Sequence, residues 1–471
     1  MKILMLGWEY PPMISGGLGT ATEGLINGLI KMGNEVTLIL PYFPHLVKIP
    51  GLKIVSPENP FVLEKNEKLD FQENLIIKKT NDSITAVNKT YNEIKNSIQE
   101  KLNTHKNSHY NYKIDDKELS FSEKKKIELN LKKIHDCIIT LNENKENYNN
   151  TNIDLSFSRN ASINEKCYIV GLLALDVLSK DENYQVIHAN DWMTFTATQM
   201  IRNKYQIPIV AHIHSTEIDR SGEINNNKNI LEIEKMGVSI CDIVIAVSEY
   251  TKNLLIEKFN IPSEKIKVVY NANNYQHVQN SYENSNPVSD NSEEEIKPVV
   301  TFVGRITFQK GPSYFVLAAE KVIKENPNVI FKVVGTGDLL PAMKQLTWEL
   351  GIHKNFQFEG FLNSTGVQLA LQSSDLFIMP SVSEPFGIVA LEAIAQNIPI
   401  IISKQSGVSE VLNHAMKVDF WDIDLMADRI LSILKYNPMK KEMITNSIQD
   451  LNNRTWLHSA QSLISAYSEI N

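Results

Sequence analysis

The sequence predicts an α/β chain built as two Rossmann-like domains facing each other across a cleft. Short β-rich runs alternate with helical patterns throughout, which implies parallel sheets covered by helices. At 471 residues the chain is too long for one core, and two domains of ordinary size are the natural division. The alternation is interrupted at Gln276–Lys297, a polar Asn/Ser/Glu stretch containing Glu293-Glu294-Glu295, which reads as an exposed linker or long loop. The predicted boundaries are therefore residues 1–275, a linker over 276–297, and residues 298–454.

Taken in order, the strand candidates of the first half are Lys2–Leu6, Val36–Leu40, Val186–His188, Ile209–His214 and Ile243–Val247. Those of the second half are Val299–Gly304, Val329–Val334, Phe356–Phe358, Leu376–Met379 and Pro399–Ile402. Residues from about 70 to 160 form an Asn- and Lys-rich insertion with few aromatics. Within it Ser120–Leu141 carries Ile127, Leu131, Ile134 and Ile138 at helical spacing, beside Lys124-Lys125-Lys126 and Lys132-Lys133. A basic amphipathic helix of this kind can contact a membrane surface or a partner. An ordinary solvated helix is the favoured reading, with peripheral membrane contact the less favoured alternative.

Bulk properties exclude several classes. A formal net charge of −8 argues against nucleic acid as the main partner. Cys137, Cys167 and Cys241 are far apart and odd in number, which suits free thiols in a reducing compartment better than a disulfide framework or metal cluster. The amino-terminal stretch Met1–Gly7 is too short an apolar run for a signal peptide and reads as a first core strand. No run reaches the length of a membrane span, so a cytoplasmic enzyme is expected.

The most informative stretch is Pro380–Glu392, PSVSEPFGIVALE. An apolar run, Asp375–Met379, precedes it and a helical pattern, Gly387–Gln396, follows. Glu384 is thus expected in a loop at the carboxyl end of a strand, where open α/β sheets bind ligands, and Glu392 about two turns into the next helix. Eight helical residues climb roughly 12 Å, whereas carboxylates flanking one glycosidic bond stand about 5–9.5 Å apart. The spacing suits two carboxylates gripping separate parts of one long ligand, and a sugar nucleotide is such a ligand.

Other strand ends carry chemistry of the same kind. Arg305 and Lys310 follow the strand Val299–Gly304, and Lys310 precedes a helix from Pro312. A fixed pair of cations at a helix start suits developing charge on a phosphate leaving group, although two surface cations would look similar. Gly16-Gly17-Leu18-Gly19 opens a helix running toward Met32, where glycines let phosphates approach the backbone; a plain tight turn is the bland alternative. Gly335-Thr336-Gly337 ends another strand near where a nucleotide would bind, and the Phe358–Phe361 turn could approach its base. His214 ends the strand from Ile209, with His212 on the same face; no further ligands join them, so no metal site is assigned. Asp191, in His188-Ala-Asn-Asp191-Trp192, reads either as a cleft residue or as the N-cap of a helix from Trp192. Asp422-Ile423-Asp424 reads as helix capping.

With these blocks in this order, EPFGIVALE resembles the paired-glutamate motif of retaining glycosyltransferases of the GT-B fold, specifically glycosyltransferase family 4 (group 1) and its glycogen and starch synthase relatives. The closing stretch from Thr455-Trp456 to Tyr467 also resembles that family's last helix, which implies that residues 455–471 cross back onto the first domain. The resemblance covers both ends and most of the chain, with roughly 55–160 outside it.

The resemblance implies hexosyl transfer from a nucleoside diphosphate sugar to an acceptor hydroxyl with retention at the anomeric carbon, and no metal or other cofactor. Residues 1–275 would serve the acceptor and 298–454 the nucleotide sugar. Arg305 and Lys310 would contact the diphosphate, Glu384 would hold donor-sugar hydroxyls, and His214 would lie against the transferred sugar. Gly16, Gly17, Gly335, Gly337, Phe386, Gly387 and Ile388 would line the donor, Glu392 would accept from both ribose hydroxyls, and Asp191 would face the acceptor. Bacterial and plant glycogen and starch synthases carry a lysine two residues before the paired glycines, where this chain has Ile14, which favours family 4. Tyr270-Asn-Ala-Asn273 likewise departs from an Asn-Gly turn. The opening Trp8–Pro12 and the His188–Trp192 block tilt the expectation toward glucose and a glucan acceptor. The rival readings are phosphorylase or sugar-nucleotide epimerase chemistry on the same fold, and a non-catalytic glycan-binding protein. A dinucleotide-dependent dehydrogenase fits less well, because Gly-Gly-Leu-Gly lacks the G-x-G-x-x-G spacing.

Overall fold

The computed structural model describes residues 1–13, 16–58, 161–222, 226–273, 297–452 and 454–470. The predicted helix Ser120–Leu141 and all of the predicted linker but Lys297 lie outside these residues.

In chain order the first elements are β1 (Lys2–Leu6), α1 (Gly17–Lys31), β2 (Glu35–Ile39), β3 (Leu52–Val55), α2 (Ile163–Lys180), β4 (Val186–Asn190) and α3 (Phe195–Arg202). Then come β5 (Ile209–Ile213), α4 (Glu217–Ser221), α5 (Lys228–Ile240), β6 (Ile243–Ala246), α6 (Glu249–Phe259) and β7 (Ile266–Val268). The second half runs β8 (Val299–Val303), α7 (Pro312–Glu325), β9 (Ile330–Val334), α8 (Leu340–Glu349), β10 (Phe356–Gly360), α9 (Ser364–Gln372) and β11 (Leu376–Met379). It closes with α10 (Ile388–Ala395), β12 (Ile400–Ser403), β13 (Met416–Val418), α11 (Ile423–Lys435), α12 (Asn437–Asn452) and α13 (Trp456–Ser468).

The chain divides into two compact units. The first comprises Met1–Trp8, Glu35–Ala189 and Met193–Ile207. Its strands run in the order β3-β2-β1-β4, all parallel, with Leu4 opposite both Thr37 and Ile187. Ile3, Leu4, Met5 and Leu6 are fully buried, as expected of a strand covered on both faces. Helix α2 starts at a capping box in which Ser162 and Glu165 satisfy each other's backbone amides.

The second unit comprises Glu9–Asn34, Asn190–Trp192 and Pro208–Asn471. It holds β5-β6-β7 and a six-stranded parallel sheet ordered β10-β9-β8-β11-β12-β13. Beside that sheet Phe302, Phe315, Phe331 and Phe356 form a chain of ring contacts at 5.4–5.5 Å between centroids. Helix α13 packs on α1 at two glycines: a Cβ at Gly24 would lie 2.1 Å from the Trp456 ring, and one at Gly28 would lie 2.5 Å from the Trp456 carbonyl oxygen. The expected closing helix therefore exists, capped by Thr455.

Every predicted strand is present: Lys2–Leu6 and Leu376–Met379 match at both ends, and the others are displaced by one or two residues at one end or both. Sequence reading misses β3, β7 and β13, each of which stands at the edge of its run. Each is short and carries a lysine in its interior (Lys53, Lys267, Lys417), so ladder pairing rather than an apolar run defines it. The helix after Pro380 is shorter than expected. It begins at Ile388, making Glu392 its fifth residue, little more than one turn in. Glu384–Gly387 lie before the helix, so the helical rise does not measure the separation of the two glutamates.

Candidate active site

The loop Ser381–Gly387 leaves β11 at its carboxyl end. Gly387 has φ +107°, and a Cβ there would lie 2.9 Å from Met379 Cε; only glycine allows the chain to turn this tightly into α10. The loop is tied along its length. Val382 N donates to Gln309 O at 2.9 Å, Glu384 N to Gln405 O at 2.9 Å, and Val408 N to Phe386 O at 2.8 Å. Glu384 is 6% exposed, and its Oε2 accepts from Lys310 Nζ at 2.5 Å and Ser381 Oγ at 3.1 Å.

Lys310 ends a short 3-10 turn, Phe308–Lys310, just before α7, and Arg305 lies between that turn and β8. Arg305 is exposed, and among the described residues its guanidinium has no ion-pair partner. Gly335 and Gly337 come together with this segment for reasons of backbone packing. A Cβ at Gly335 would lie 1.9 Å from Gly304 O, and one at Gly337 2.3 Å from Ile306 O. Their glycine identity is thus accounted for by loop-on-loop contact alone. Gly16 differs: its φ of −176° is open to any residue, and a Cβ there would have no neighbour within 4 Å.

Gly17 and Ile388, the first residues of α1 and α10, face each other: a Cβ at Gly17 would lie 4.0 Å from Ile388 Cδ1. Two helix amino termini therefore converge beside the loop bearing Glu384. The amides of Phe386, Gly387 and Ile388 donate to nothing among the described residues, as first-turn amides do unless a cap or ligand meets them.

At the end of β5, His212 and His214 stack with centroids 4.1 Å apart, and His214 Nε2 lies 3.1 Å from Asn190 Oδ1. Asp191 is not the N-cap residue of α3, which is Thr194. The Oδ1 of Asp191 accepts from His214 N at 2.7 Å and Ser215 N at 3.3 Å, and its backbone is left-handed at φ 55°. A 3-10 turn over Trp192–Thr194 intervenes before α3, so the carboxylate turns to the neighbouring strand end instead. Burial pushes the Asp191 carboxyl up to about 6, against the pull of the His214 amide and Arg220.

Glu392 is half-buried on α10 beside Val367, Gln368, Leu371 and Gln396. Its carboxylate has no hydrogen-bond partner among the described residues, and burial pushes its pKa from 4.5 to about 7. Asp422 caps α11 by accepting from Leu425 N at 3.0 Å, as expected. Among the described residues no three His, Cys, Asp or Glu side chains are grouped to hold a metal.

Sequence reading names nothing beyond His214 in this segment and misses the cluster that follows. Arg220 Nη2 meets Glu234 Oε1 at 2.8 Å and Glu217 Oε2 at 3.3 Å, and its Nη1 donates to Ser215 O at 2.9 Å. Burial pushes the Glu234 carboxyl up to about 7 despite Arg220. Asp219 closes the capping box of α4 with Thr216 and also accepts from Ser383 Oγ at 2.5 Å. The T-x-x-D pattern signals the cap, but nothing local signals the bond to Ser383.

Comparison with known proteins bears on the fold and the class of enzyme. The family model of group 1 glycosyl transferases matches residues 286–450, that of Glycosyltransferase Family 4 residues 138–276, and that of the starch synthase catalytic domain residues 2–56. An uncharacterized glycosyltransferase of Methanocaldococcus jannaschii is 26% identical over 99% of this chain and 98% of its own length. A glycogen synthase of Mycobacterium tuberculosis is 25% identical over 51% of this chain and 57% of its own. Among solved structures, sucrose-phosphate synthase from Thermosynechococcus elongatus superposes with a TM-score of 0.65 at 14% identity, covering 100% of this chain and 98% of that one. Anabaena HepE in complex with UDP and glucose gives 0.60 at 15% identity, covering 100% of both. The chain is a glycosyltransferase of the GT-B fold, with segments that resemble group 1 and family 4 glycosyltransferases.

Proposed function

We propose that this enzyme transfers a hexose, glucose by preference, from a nucleoside diphosphate sugar to an acceptor hydroxyl with retention at the anomeric carbon, and that the acceptor is an α-glucan. The observation that carries the donor site is the convergence of the α1 and α10 amino termini beside Lys310 and Glu384, with amides at Phe386, Gly387 and Ile388 that donate to nothing among the described residues. Aligned helix termini and free amides attract a diphosphate. Arg305, exposed and without an ion-pair partner among the described residues, and Lys310 add the charge that the departing diphosphate needs. The reading assigns no metal or cofactor.

In this reading Glu384 accepts from donor-sugar hydroxyls, with Lys310 shared between it and the phosphate, and Glu392 accepts from the ribose hydroxyls. His214 lies against the transferred sugar and Asp191 serves the acceptor side. The acceptor oxygen attacks the anomeric carbon on the face the diphosphate leaves. The carbon–oxygen bond to phosphate breaks as the new glycosidic bond forms, and the departing phosphate oxygen takes the acceptor proton. Residues 298–454 hold the donor, 1–275 with α13 the acceptor, and 276–297 join them. The HepE complexes with UDP and glucose and the glycogen synthase likeness support glucose as the sugar. Among the described residues no helix is long and apolar enough to cross a membrane; a cytoplasmic location is part of the proposal.

The test is thermal stabilisation by a panel of sugar nucleotides and their nucleoside diphosphates, since ligands raise the melting point by mass action. UDP-glucose or ADP-glucose should raise it in the wild type and not in Arg305→Ala. Silence across the panel from folded protein would overturn the donor site, and so would wild-type transfer by Glu384→Ala.

A further inference from the structure

Ser383 stands between two side chains from the β5–β7 part of the unit. Its Oγ donates to Asp219 Oδ1 at 2.5 Å and lies 3.0 Å from Tyr250 Oη. Asp219 is 1% exposed. Its other oxygen, Oδ2, accepts from Thr216 N at 2.8 Å and Thr216 Oγ1 at 2.7 Å. The capping box of α4 occupies that oxygen alone; Oδ1 is turned to Ser383. Capping therefore leaves half of this carboxylate unexplained.

The next residues of the loop are gripped from the same direction. Ser248 Oγ donates to Pro385 O at 2.6 Å, and Glu410 accepts from Glu249 N at 2.9 Å and Tyr250 N at 2.6 Å at the start of α6. A Cβ at Gly407 would lie 2.4 Å from Ser248 Cβ, so backbone and side chain meet there without room for a methyl group. Glu384 is thus bracketed. Ser383 before it and Pro385 after it are held by α4 and α6, while its own carboxylate is held by Lys310 and Ser381.

We propose that Asp219, acting through the Ser383 hydroxyl, is a positioning residue that fixes the peptide before Glu384 so that its carboxylate meets the donor sugar. The proposal rests on the donor reading above. A glutamate carried on a loop is useful only if held to within about 0.5 Å. A charge-assisted bond from a hydroxyl to a buried carboxylate is the kind of restraint that achieves this. The diphosphate is held by other groups: Arg305, Lys310 and the amides of α10. Losing the Ser383 hydroxyl should therefore impair recognition of the sugar while sparing the nucleoside diphosphate.

The experiment compares Ser383→Ala, Ser383→Thr and Asp219→Asn with the wild type, measuring kcat and KM for the sugar nucleotide and Kd for UDP and ADP. Ser383→Ala should lower kcat/KM about tenfold or more, as expected when a positioning contact of roughly 1.4 kcal/mol is removed. Its Kd for the diphosphate should stay within about twofold, because the hydroxyl meets Asp219 and Tyr250 and not Arg305, Lys310 or the α10 amides. Ser383→Thr, which keeps the hydroxyl, should restore most of kcat/KM. Asp219→Asn, of equal size, should show the same split, and it stands in if Ser383→Ala does not fold. A kcat/KM unchanged in Ser383→Ala would overturn the proposal. So would parallel loss of diphosphate and sugar-nucleotide binding, or no rescue by threonine. If the wild type binds neither diphosphate nor any sugar nucleotide, the donor reading itself fails and this inference with it.

Discussion

Lys310 Nζ and Glu384 Oε2 meet at 2.5 Å, joining the segments that follow β8 and β11, two strands paired in the six-stranded sheet. The carboxylate is nearly closed to solvent and the ammonium only partly so, at 8% and 20% side-chain exposure. Removing Lys310 leaves the carboxylate with little access to water, whereas removing Glu384 leaves an ammonium that still reaches solvent.

Lys310→Met should accordingly lower stability by about 1.5–3 kcal/mol, the worth of a hydrogen bond to a charged group with an unsatisfied carboxylate left behind. Glu384→Gln should cost less, because the amide still accepts from Ser381 and the ammonium reaches solvent. The double variant should cost less than the sum of the two. Urea unfolding midpoints of the four proteins measure that coupling. Strict additivity would mean that the two side chains do not interact in solution.

The glycines of the predicted donor site should separate into two kinds. Gly335→Ala forces a side chain into φ +135° and against Gly304 O, and should destabilise by about 2–4 kcal/mol. Gly16→Ala meets open space in extended backbone and should change stability by no more than about 0.5 kcal/mol. If Gly16 borders the diphosphate, the same variant should lose thermal stabilisation by UDP or ADP. Melting points with and without nucleotide distinguish the two kinds.

That separation also marks what a sequence exposes. The sheets were legible because runs such as Ile3–Leu6 and Leu376–Met379 are buried on both faces and therefore uniformly apolar. The loop bearing Glu384 and the turn bearing Lys310 were legible because strand, turn residue and helix start are adjacent in the chain. Gly335 was legible as a glycine but not as a packing glycine, because Gly304 O comes from another strand end. Asp219 and Ser383 lie 164 residues apart, and no local pattern in either segment points to the other. The left-handed turn at Asp191 was hidden for a similar reason: the amides it serves belong to the next strand.

Glu392 makes stability depend on pH with a definite sign. Its folded pKa stands at about 7 against an ordinary value of 4.5. Between these values the folded chain keeps a proton that the unfolded chain has released. The unfolded state then binds fewer protons, so stability falls as pH rises across this window and the cost is complete above it. Glu392→Gln removes that cost and should be the more stable protein by about 1–2 kcal/mol near pH 8, with little difference near pH 4. The half-buried side chain keeps the gain below a full conversion of the shift. Asp191 and Glu234 add slopes of the same sign, so the difference between wild type and variant isolates Glu392. If the ionised carboxylate accepts from ribose hydroxyls, wild-type affinity for UDP or ADP should rise with pH through about 7 and that of Glu392→Gln should not. Denaturation and nucleotide titrations at several pH values check both statements.

Asp191 offers a comparison in which two conservative-looking changes should behave differently. Its Oδ1 accepts from the amides of His214 and Ser215, and its backbone is held at φ 55°. Alanine would leave both amides without that acceptor and would adopt the left-handed region at a cost of roughly 1–2 kcal/mol. Together these should destabilise Asp191→Ala by about 2–4 kcal/mol. Asparagine retains an oxygen to accept from both amides and tolerates the left-handed backbone. It also carries no charge into a site where burial has already pushed the carboxyl up to about 6. Asp191→Asn should therefore stay within about 1 kcal/mol of the wild type at neutral pH. Because the same oxygen anchors the His214 backbone, Asp191→Ala should also lower transfer more than Asp191→Asn does. Unfolding midpoints and transfer rates for the two variants decide the matter: equal losses would show that the amide bonds do not fix His214.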